Sequence, residues 1–145
     1  MEKAHVYLVG AGPGDPELLT LKAARLIATT DVVVHDGLVD DAIMAMINPA
    51  ARLISVAKSR SKHTVQQDGI NAILVGEAQA GHMVVRLKGG DPAIFGRATE
   101  ELEACHYAGV PVAICPGITA ASAAAASLGQ SLTLRGLARK LTFVT

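Results

Sequence analysis

The chain contains, at residues 6–36, the sequence VYLVGAGPGDPELLTLKAARLIATTDVVVHD, in which two short apolar runs flank a glycine-rich loop and a helical pattern. Leu19, Ala23 and Leu26 recur at the spacing that places side chains on one face of a helix. The apolar runs on either side are typical of strands that are buried on both faces. Residues 6–36 therefore predict a βαβ unit, the building block of a parallel sheet.

The same alternation continues along the chain. Apolar runs predict strands at His5–Val9, Asp31–His35, Arg52–Val56, Met83–Leu87 and Val110–Ile114. Helical patterns lie between them, with one apolar face formed by Ile70, Leu74 and Ala78 and another by Ala98, Leu102 and Cys105. We expect an α/β fold with an open, parallel-type sheet and alternating helices.

The C-terminal part of the chain differs in composition from the rest. Thr133–Lys140 is polar and basic, and Leu141–Thr145 begins a new apolar run with β character. We therefore predict one α/β domain over residues 1–130, followed at 131–145 by a linker and the first strand of a truncated second α/β domain.

Composition limits the classes of partner. Lys plus Arg equals Asp plus Glu, 13 against 13, so no overall field attracts a polyanion such as nucleic acid. Aromatic residues make up only 3% of the chain, too few for a base-stacking platform. The small-residue run Ile118–Leu128 is far shorter than the roughly 20 residues that span a bilayer. We expect neither a nucleic acid nor a membrane as partner.

The cysteines and histidines show no metal or disulfide pattern. Cys105 and Cys115 are isolated and belong to no CxxC motif, which favours a reducing, cytoplasmic setting. The histidines at 5, 82 and 106 lack the spacing of metal ligands, so no metal site is predicted.

Five loops follow the predicted strands, and each has an unusual composition. They are Gly10–Pro16, Asp36–Leu38, Ala57–His63, Gly89–Pro92 and Pro116–Thr119. Because the carboxyl ends of parallel strands share one edge of a sheet, we expect these loops to meet there and to form a ligand site. Glycines let the backbone approach a ligand closely, although tight turns need them as well.

The first of these loops admits a dinucleotide interpretation. It joins a strand to a helix, and Asp36 lies about 20 residues further on, where a ribose-binding acid is expected. Asp15 occupies the third glycine position, however, and Pro13 and Pro16 lack the N–H groups that a pyrophosphate would use. An NAD-dependent Rossmann oxidoreductase therefore stays an alternative, beside a purely structural turn.

Three motifs together resemble the successive signatures of the tetrapyrrole methylase family. They are VGAGPGD with LLTLK at residues 9–22, RLKGGDP with IFGR at 86–97, and PGITAAS at 116–122. The resemblance extends from Val6 to Thr145, and the KGGDP and IFGR elements are most similar to the branch that methylates uroporphyrinogen III. It implies S-adenosylmethionine-dependent C-methylation of that tetrapyrrole to precorrin-2 in sirohaem or cobalamin synthesis, by a protein that is a homodimer when full length.

The resemblance also implies roles for individual residues. Asp36 matches the proposed proton acceptor and Lys58 the proposed proton donor. The positions that match the S-adenosylmethionine pocket are Pro13, Gly89, Gly90, Asp91, Ile94, Thr119 and Ala120. The structural alternative for Asp36 is a carboxylate that stabilises a turn or caps a helix.

Uroporphyrinogen carries a fringe of carboxylates, which cationic side chains at the mouth of the cleft would bind. The candidates are Arg60, Arg86, Arg97 and Arg135, each of which is alternatively a solvated surface charge. The sequence departs from the pattern of this branch at Gly37, Ala57, Ser59 and Ala93. Two other functions remain open: methylation of a later precorrin, and a domain without catalytic activity.

Overall fold

Five parallel strands form one sheet in the computed structural model of the chain, which describes residues 5–57 and 65–145. The strands are β1 (Val6–Gly10), β2 (Val32–His35), β3 (Arg52–Ser55), β4 (Val84–Lys88) and β5 (Val112–Cys115). Their order in the sheet is β3-β2-β4-β1-β5. The five strands predicted between His5 and Ile114 are confirmed, with their ends displaced by no more than two residues.

Helices connect the strands. They are α1 (Leu21–Thr29), α2 (Asp41–Met44), α3 (Gln67–Gln79), α4 (Ala98–Tyr107) and α5 (Ala120–Leu128), preceded by a single 3-10 turn at Pro16–Leu18. The first helix begins where Thr20 Oγ1 accepts a hydrogen bond from Ala23 N at 3.0 Å, satisfying an amide that the helix itself leaves free. None of the helices in the described ranges is long and apolar enough to cross a membrane.

The sheet is covered on both faces because successive strand residues point in opposite directions. Val6, Leu8 and Val84 pack on the side of α3 and α4. Val9 and Leu87 pack on the other side, with side chains of α1 and α2. Apolar side chains on both faces of the central strands explain why the strands read as continuous hydrophobic runs.

Residues 130–145 contain no helix or strand and are almost entirely exposed. Their isolated β-bridge joins Leu134 to Ala138. The strand predicted at Leu141–Thr145 is not formed, because a strand needs a neighbour for its backbone groups and these residues have none in the described part of the chain. The proposed division into domains remains a prediction.

The topology places a natural binding position between β1 and β4. These strands are adjacent in the sheet. From β1 the chain continues to β2, toward one edge of the sheet, whereas from β4 it continues to β5, at the opposite edge. Ligands of open α/β sheets bind at such a reversal, beyond the carboxyl ends of the strands. The dinucleotide-binding order 3-2-1-4-5 keeps β1 beside β2, whereas here β4 lies between them, which argues against the Rossmann alternative.

Candidate functional site

The loops after β1 and β4 are joined directly by their backbones. Gly12 N donates to Gly90 O at 3.1 Å, and Gly90 N donates to Gly12 O at 2.8 Å. Both glycines have positive φ angles, 68° and 64°, which residues other than glycine rarely adopt. The pair fixes the two glycine-rich loops against each other at the reversal of strand order.

The loop after β5 packs against the same pair of loops. A Cβ atom on Gly10 would lie 2.6 Å from Gly90 O and also 2.6 Å from Gly117 N, so there is no room for one. Asp91 Oδ1 accepts a hydrogen bond from Gly117 N at 3.1 Å. Three of the five loops therefore meet as predicted. The close approach of their backbones by itself requires glycine at these positions, whether or not a ligand binds.

An apolar cleft of about 420 Å³ opens beside these loops, and we call it the α5 cleft. It is lined by Leu18, Asp91, Ile94, Gly117, Ile118, Thr119, Ser122, Ala123 and Ala126. Its volume lies within the range of small-ligand sites, and it combines apolar walls with a few polar groups, as such sites do. These features fit a ligand such as S-adenosylmethionine.

The predicted cofactor residues lie in or around this cleft. Asp91, Ile94 and Thr119 line it. The other predicted positions do not line it: Pro13, Gly89 and Gly90 belong to the adjoining loops, and Ala120 is the first residue of α5. A Cβ on Gly90, for example, would be 3.8 Å from Ala120 N.

A second cleft, of about 490 Å³, lies at the carboxyl end of β2, and we call it the Asp36 cleft. Its lining consists of Asp36, Gly37, Leu38, Val56, Ala57, Val65, Ile70 and Arg86. Asp36 Oδ1 accepts a hydrogen bond from Leu38 N at 2.9 Å, while Oδ2 lies 3.9 Å from Arg86 Nη2. Asp36 therefore faces a guanidinium. A Cβ on Gly89 would lie 3.7 Å from Leu38 O, so the loop after β2 lies beside the loop after β4, as predicted.

Two of the departures from the branch pattern, Gly37 and Ala57, lie side by side in the lining of the Asp36 cleft. A Cβ on Gly37 would lie 3.4 Å from the Cβ of Ala57, which is ordinary close contact. A larger side chain at position 37 would have to pass Ala57. The small residues at these two positions therefore shape the same wall of the cleft.

Beneath this edge of the sheet lies a buried cluster of three charged residues, which we call the Glu101 cluster. Glu101, on α4, is completely buried, and Arg86 and Lys88, both on β4, are each 5% exposed. Arg86 Nε donates to Glu101 Oε1 at 3.1 Å, and Lys88 Nζ donates to Glu101 Oε2 at 2.6 Å. Lys88 Nζ also donates to the carbonyl of Gly96. Burial lowers the pKa of Lys88, against the opposing effect of Glu101.

Glu101 and Lys88 were not predicted as site residues, although the periodicity of α4 and of β4 indicates that both side chains are buried. Val84, Arg86 and Lys88 alternate along β4, so all three point toward the same face. Ala98, Glu101 and Cys105 recur at helical spacing along the buried face of α4. Two cations inside a covered strand require a buried anion, and Glu101 is the acid on that apolar face.

The three candidate arginines among the described residues have different placements. Arg86 is not at the mouth of a cleft but in its floor, where it is held by Glu101. The Arg97 side chain is 61% exposed, forms an ion pair with Glu100 at 2.6 Å, and lines a groove that adjoins the Asp36 cleft through Val65 and Ile70. Arg135 lies in the exposed C-terminal segment and lines neither cleft.

The remaining candidates, Lys58 and Arg60, and the departure at Ser59 lie outside the described residues. Within 5–57 and 65–145, no group of three His, Cys, Asp or Glu residues is arranged to hold a metal ion.

The sequence matches a family profile and individual proteins that point to the same family. The sequence profile of the tetrapyrrole (corrin/porphyrin) methylases matches residues 5–145. The chain is 54% identical to siroheme synthase of Acinetobacter baylyi over 143 residues, covering 99% of this chain and 31% of that protein. It is 56% identical to uroporphyrinogen-III C-methyltransferase of Paracoccus denitrificans over 140 residues, covering 97% and 49%. The chain thus spans 31% of the length of one of these relatives and 49% of the other.

Solved structures of the same family have the same fold. Uroporphyrin-III C-methyltransferase from Thermus thermophilus superposes with a TM-score of 0.79 at 43% identity, covering 92% of this chain and 56% of that one. A structure of the Thermus thermophilus enzyme complexed with S-adenyl homocysteine gives a TM-score of 0.76 at 46% identity, covering 94% and 53%.

Proposed function

Because the chain belongs to the tetrapyrrole methylase family, we propose that the protein carrying it transfers methyl groups from S-adenosylmethionine to ring carbons of uroporphyrinogen III, forming precorrin-2. The observation that carries the proposal is the juxtaposition of two clefts along β4. Asp91 after the strand lines one cleft, and Arg86 within the strand lines the other together with Asp36. A methyl donor and a methyl acceptor need such neighbouring sites.

The residues of the α5 cleft and its loops would hold the methyl donor. S-adenosylmethionine supplies a methyl group that is already activated on a sulfonium sulfur. The protein therefore needs only to hold the reactants in line and exclude water. Ile94 offers an apolar wall, and Thr119 and Asp91 offer polar groups. The backbone of Gly89 and Gly90, with Pro13 and Ala120 beside it, completes the set that the family resemblance assigns.

Asp36 is the residue that we assign to proton transfer. Methylation of a pyrrole carbon obliges the ring system to release a proton, and a carboxylate can accept it. Asp36 Oδ1 is occupied by the amide of Leu38, so Oδ2 is the oxygen available for this task. The family resemblance assigns the proton donor to Lys58.

The substrate carboxylates would be bound by the cationic side chains around the Asp36 cleft. Arg86 lies in the floor and Arg97 in the adjoining groove. We keep Arg60 and Arg135 as further candidates on the family resemblance. Gly37 and Ala57 place little or no side chain on the neighbouring wall, which leaves room for a bulky substrate.

The assembly and the cellular compartment are also proposals. We expect a homodimer, on the family resemblance alone, and size-exclusion chromatography with light scattering tests it. Cys105 and Cys115 are both buried and free. Free thiols fit a reducing compartment, which supports a cytoplasmic location.

The proposed function is tested on the intact protein that carries this chain. Titration calorimetry should give binding of S-adenosylhomocysteine and none of NAD. Incubation with uroporphyrinogen III and S-adenosylmethionine should add methyl groups that mass spectrometry detects on the tetrapyrrole. Binding of NAD instead would contradict the proposal, and so would methylation of a later precorrin with uroporphyrinogen III left unchanged.

A further inference from the structure

The Glu101 cluster is arranged unusually for a structural ion pair. A single, fully buried carboxylate receives one cation on each of its oxygens. Buried ion pairs contribute little net stability, since the cost of removing charges from water offsets most of their attraction. A hydrophobic trio of similar volume would fill the space between β4 and α4 as well. The cluster therefore calls for a role other than packing.

The position of the cluster suggests that role. The Arg86 guanidinium touches Glu101 through Nε, and its Nη2 lies 3.9 Å from Asp36 Oδ2. A guanidinium is planar and rigid, so a carboxylate that holds one edge also fixes the direction of the others. Glu101, which lines neither cleft, thereby determines how Arg86 faces Asp36.

We propose that Glu101 is a positioning residue for proton transfer, holding Arg86 beside Asp36 but out of a direct, two-bond pairing with it. The separation of 3.9 Å is longer than a hydrogen bond, so Oδ2 of Asp36 stays available to a proton. Without the Glu101 charge, the guanidinium would have Asp36 as its nearest anion. A bidentate pair would then occupy the oxygen that the reaction needs. This inference rests on the proposed function, and in particular on Asp36 as proton acceptor.

The methyl-donor side depends much less on Glu101. The loops of the α5 cleft are held by the backbone bonds between Gly12 and Gly90 and by the bond from Gly117 N to Asp91. Neither involves Glu101. Lys88 connects the cluster to the carbonyl of Gly96, which is two residues from Ile94 and is not itself part of the cleft lining. Loss of the Glu101 charge should therefore affect turnover more than cofactor affinity.

The test compares Glu101→Gln with Glu103→Gln in the intact protein. Both residues are on α4, and Glu103 is exposed and outside both clefts. For Glu101→Gln we expect kcat to fall by about tenfold or more, since small displacements of reacting groups can cost as much as a hundredfold. S-adenosylhomocysteine affinity should stay near the wild-type value. Glu101→Asp, which restores the charge, should recover part of kcat, and Glu103→Gln should change neither quantity.

A structural readout accompanies the kinetics. The Nε–H of Arg86 should exchange slowly with solvent in the wild type, because it donates to a buried oxygen, and faster in Glu101→Gln. If Glu101→Gln does not fold, Arg86→Lys takes its place. It keeps a cation opposite Glu101, but an ammonium cannot hold two carboxylates in a fixed fork. We expect the same fall in kcat with unchanged S-adenosylhomocysteine affinity.

The outcomes separate this inference from the proposed function. A wild type that methylates uroporphyrinogen III, with wild-type kcat in Glu101→Gln or in its substitute Arg86→Lys, overturns the role of Glu101 alone. Parallel losses of kcat and of cofactor affinity would also overturn it, by making Glu101 merely structural. A wild type without methyl transfer overturns both.

Discussion

Asp36 uses its two carboxylate oxygens differently. Oδ1 accepts the Leu38 amide and holds the turn after β2, which is the structural role that the sequence alone also allows. Oδ2 faces Arg86 across 3.9 Å in a cleft. The structural and the catalytic interpretations therefore do not exclude each other, because each concerns a different oxygen.

Substitution of Asp36 by Asn separates these roles. The amide of Asn can keep the bond to Leu38 N but cannot accept a proton. We expect turnover to fall by about a hundred- to ten-thousand-fold, as is usual when a general base is lost, with S-adenosylhomocysteine affinity nearly unchanged. Steady-state kinetics and calorimetry measure the two effects, and Asp41→Asn, on the exposed first turn of α2, is the matched control. Wild-type turnover in Asp36→Asn would leave Asp36 as a turn residue only.

Asp91 joins the loop after β4 to the loop after β5 through its bond to Gly117 N. Asp91→Ala removes this bond and a polar group of the α5 cleft. Removing the partner of a polar group that is shielded from water costs about 1–3 kcal/mol, so S-adenosylhomocysteine affinity should weaken by about fivefold or more. Calorimetry on the folded variant measures it, with Asp41→Ala as control. Unchanged affinity would mean that the methyl donor binds elsewhere.

At the scale of whole elements, periodicity predicted the strands and the longer helices, but it did not predict which charged groups pair. Arg86 was expected at the mouth of a cleft, and β4 instead carries it into the interior beside Glu101. Pairing across 15 residues depends on how α4 packs on the sheet, which no local pattern encodes. The short helix α2 was missed because four residues give too little periodicity.

The role of a glycine depends on the element that contains it. Gly117→Ala would push a Cβ into the carbonyl of Gly90, so the loops must separate. We expect lower stability and weaker S-adenosylhomocysteine binding. Gly76, inside α3, has nothing within 4 Å of a Cβ, and Gly76→Ala should stabilise the protein by about 0.5–1 kcal/mol. Denaturant unfolding compares the two, and equal effects of both would contradict this packing of the loops.

The edge strand β3 is tied to the C-terminal end of α3 by Glu77, which binds Arg52 and, at 2.9 Å, His82 Nδ1. Burial raises the pKa of Glu77, but the hydrogen bonds from Arg52 and His82 outweigh it, so the pKa is lowered from 4.5. A carboxyl group with a lowered pKa stabilises the fold above its unfolded pKa, and this contribution disappears as the pH falls through the folded value.

The lowered pKa of Glu77 determines how the stability of the Glu77→Gln variant should depend on pH. The variant should be less stable than the wild type near neutral pH, by about 1 kcal/mol or less because Arg52 is largely exposed. The difference should begin to shrink near the ordinary carboxyl pKa of 4.5 and vanish once the pH is below the lowered pKa of the folded state. Urea unfolding at several pH values measures it, with Glu103→Gln as control. A difference that persists at low pH would show that the charge of Glu77 is not responsible.

At the scale of the whole molecule, apolar surface is concentrated toward the C-terminal end of the described chain. Helix α5 buries only Ala125, and Leu128 and Leu137 are 71% and 84% exposed. The same helix supplies one wall of the α5 cleft. Exposed apolar patches of this kind typically mark an interface. Since the chain spans 31% of one relative and 49% of another, we expect further sequence to cover this surface.

A comparison of two lengths of the protein tests this expectation. When the chain is extended over the remaining length of its relatives, S-adenosylhomocysteine should bind more tightly than to residues 1–145, because a cover over α5 would close the α5 cleft and bury more of the ligand. Hydrogen exchange should show protection appearing at residues 128–137. Leu128→Ser should reduce both gains. Tyr107→Ser is the control, since Tyr107 is 98% exposed on α4 and lines neither the α5 cleft nor the Asp36 cleft. Equal affinity and exchange at both lengths would show that α5 and its cleft are complete without a cover, and the exposed leucines would then be ordinary surface residues.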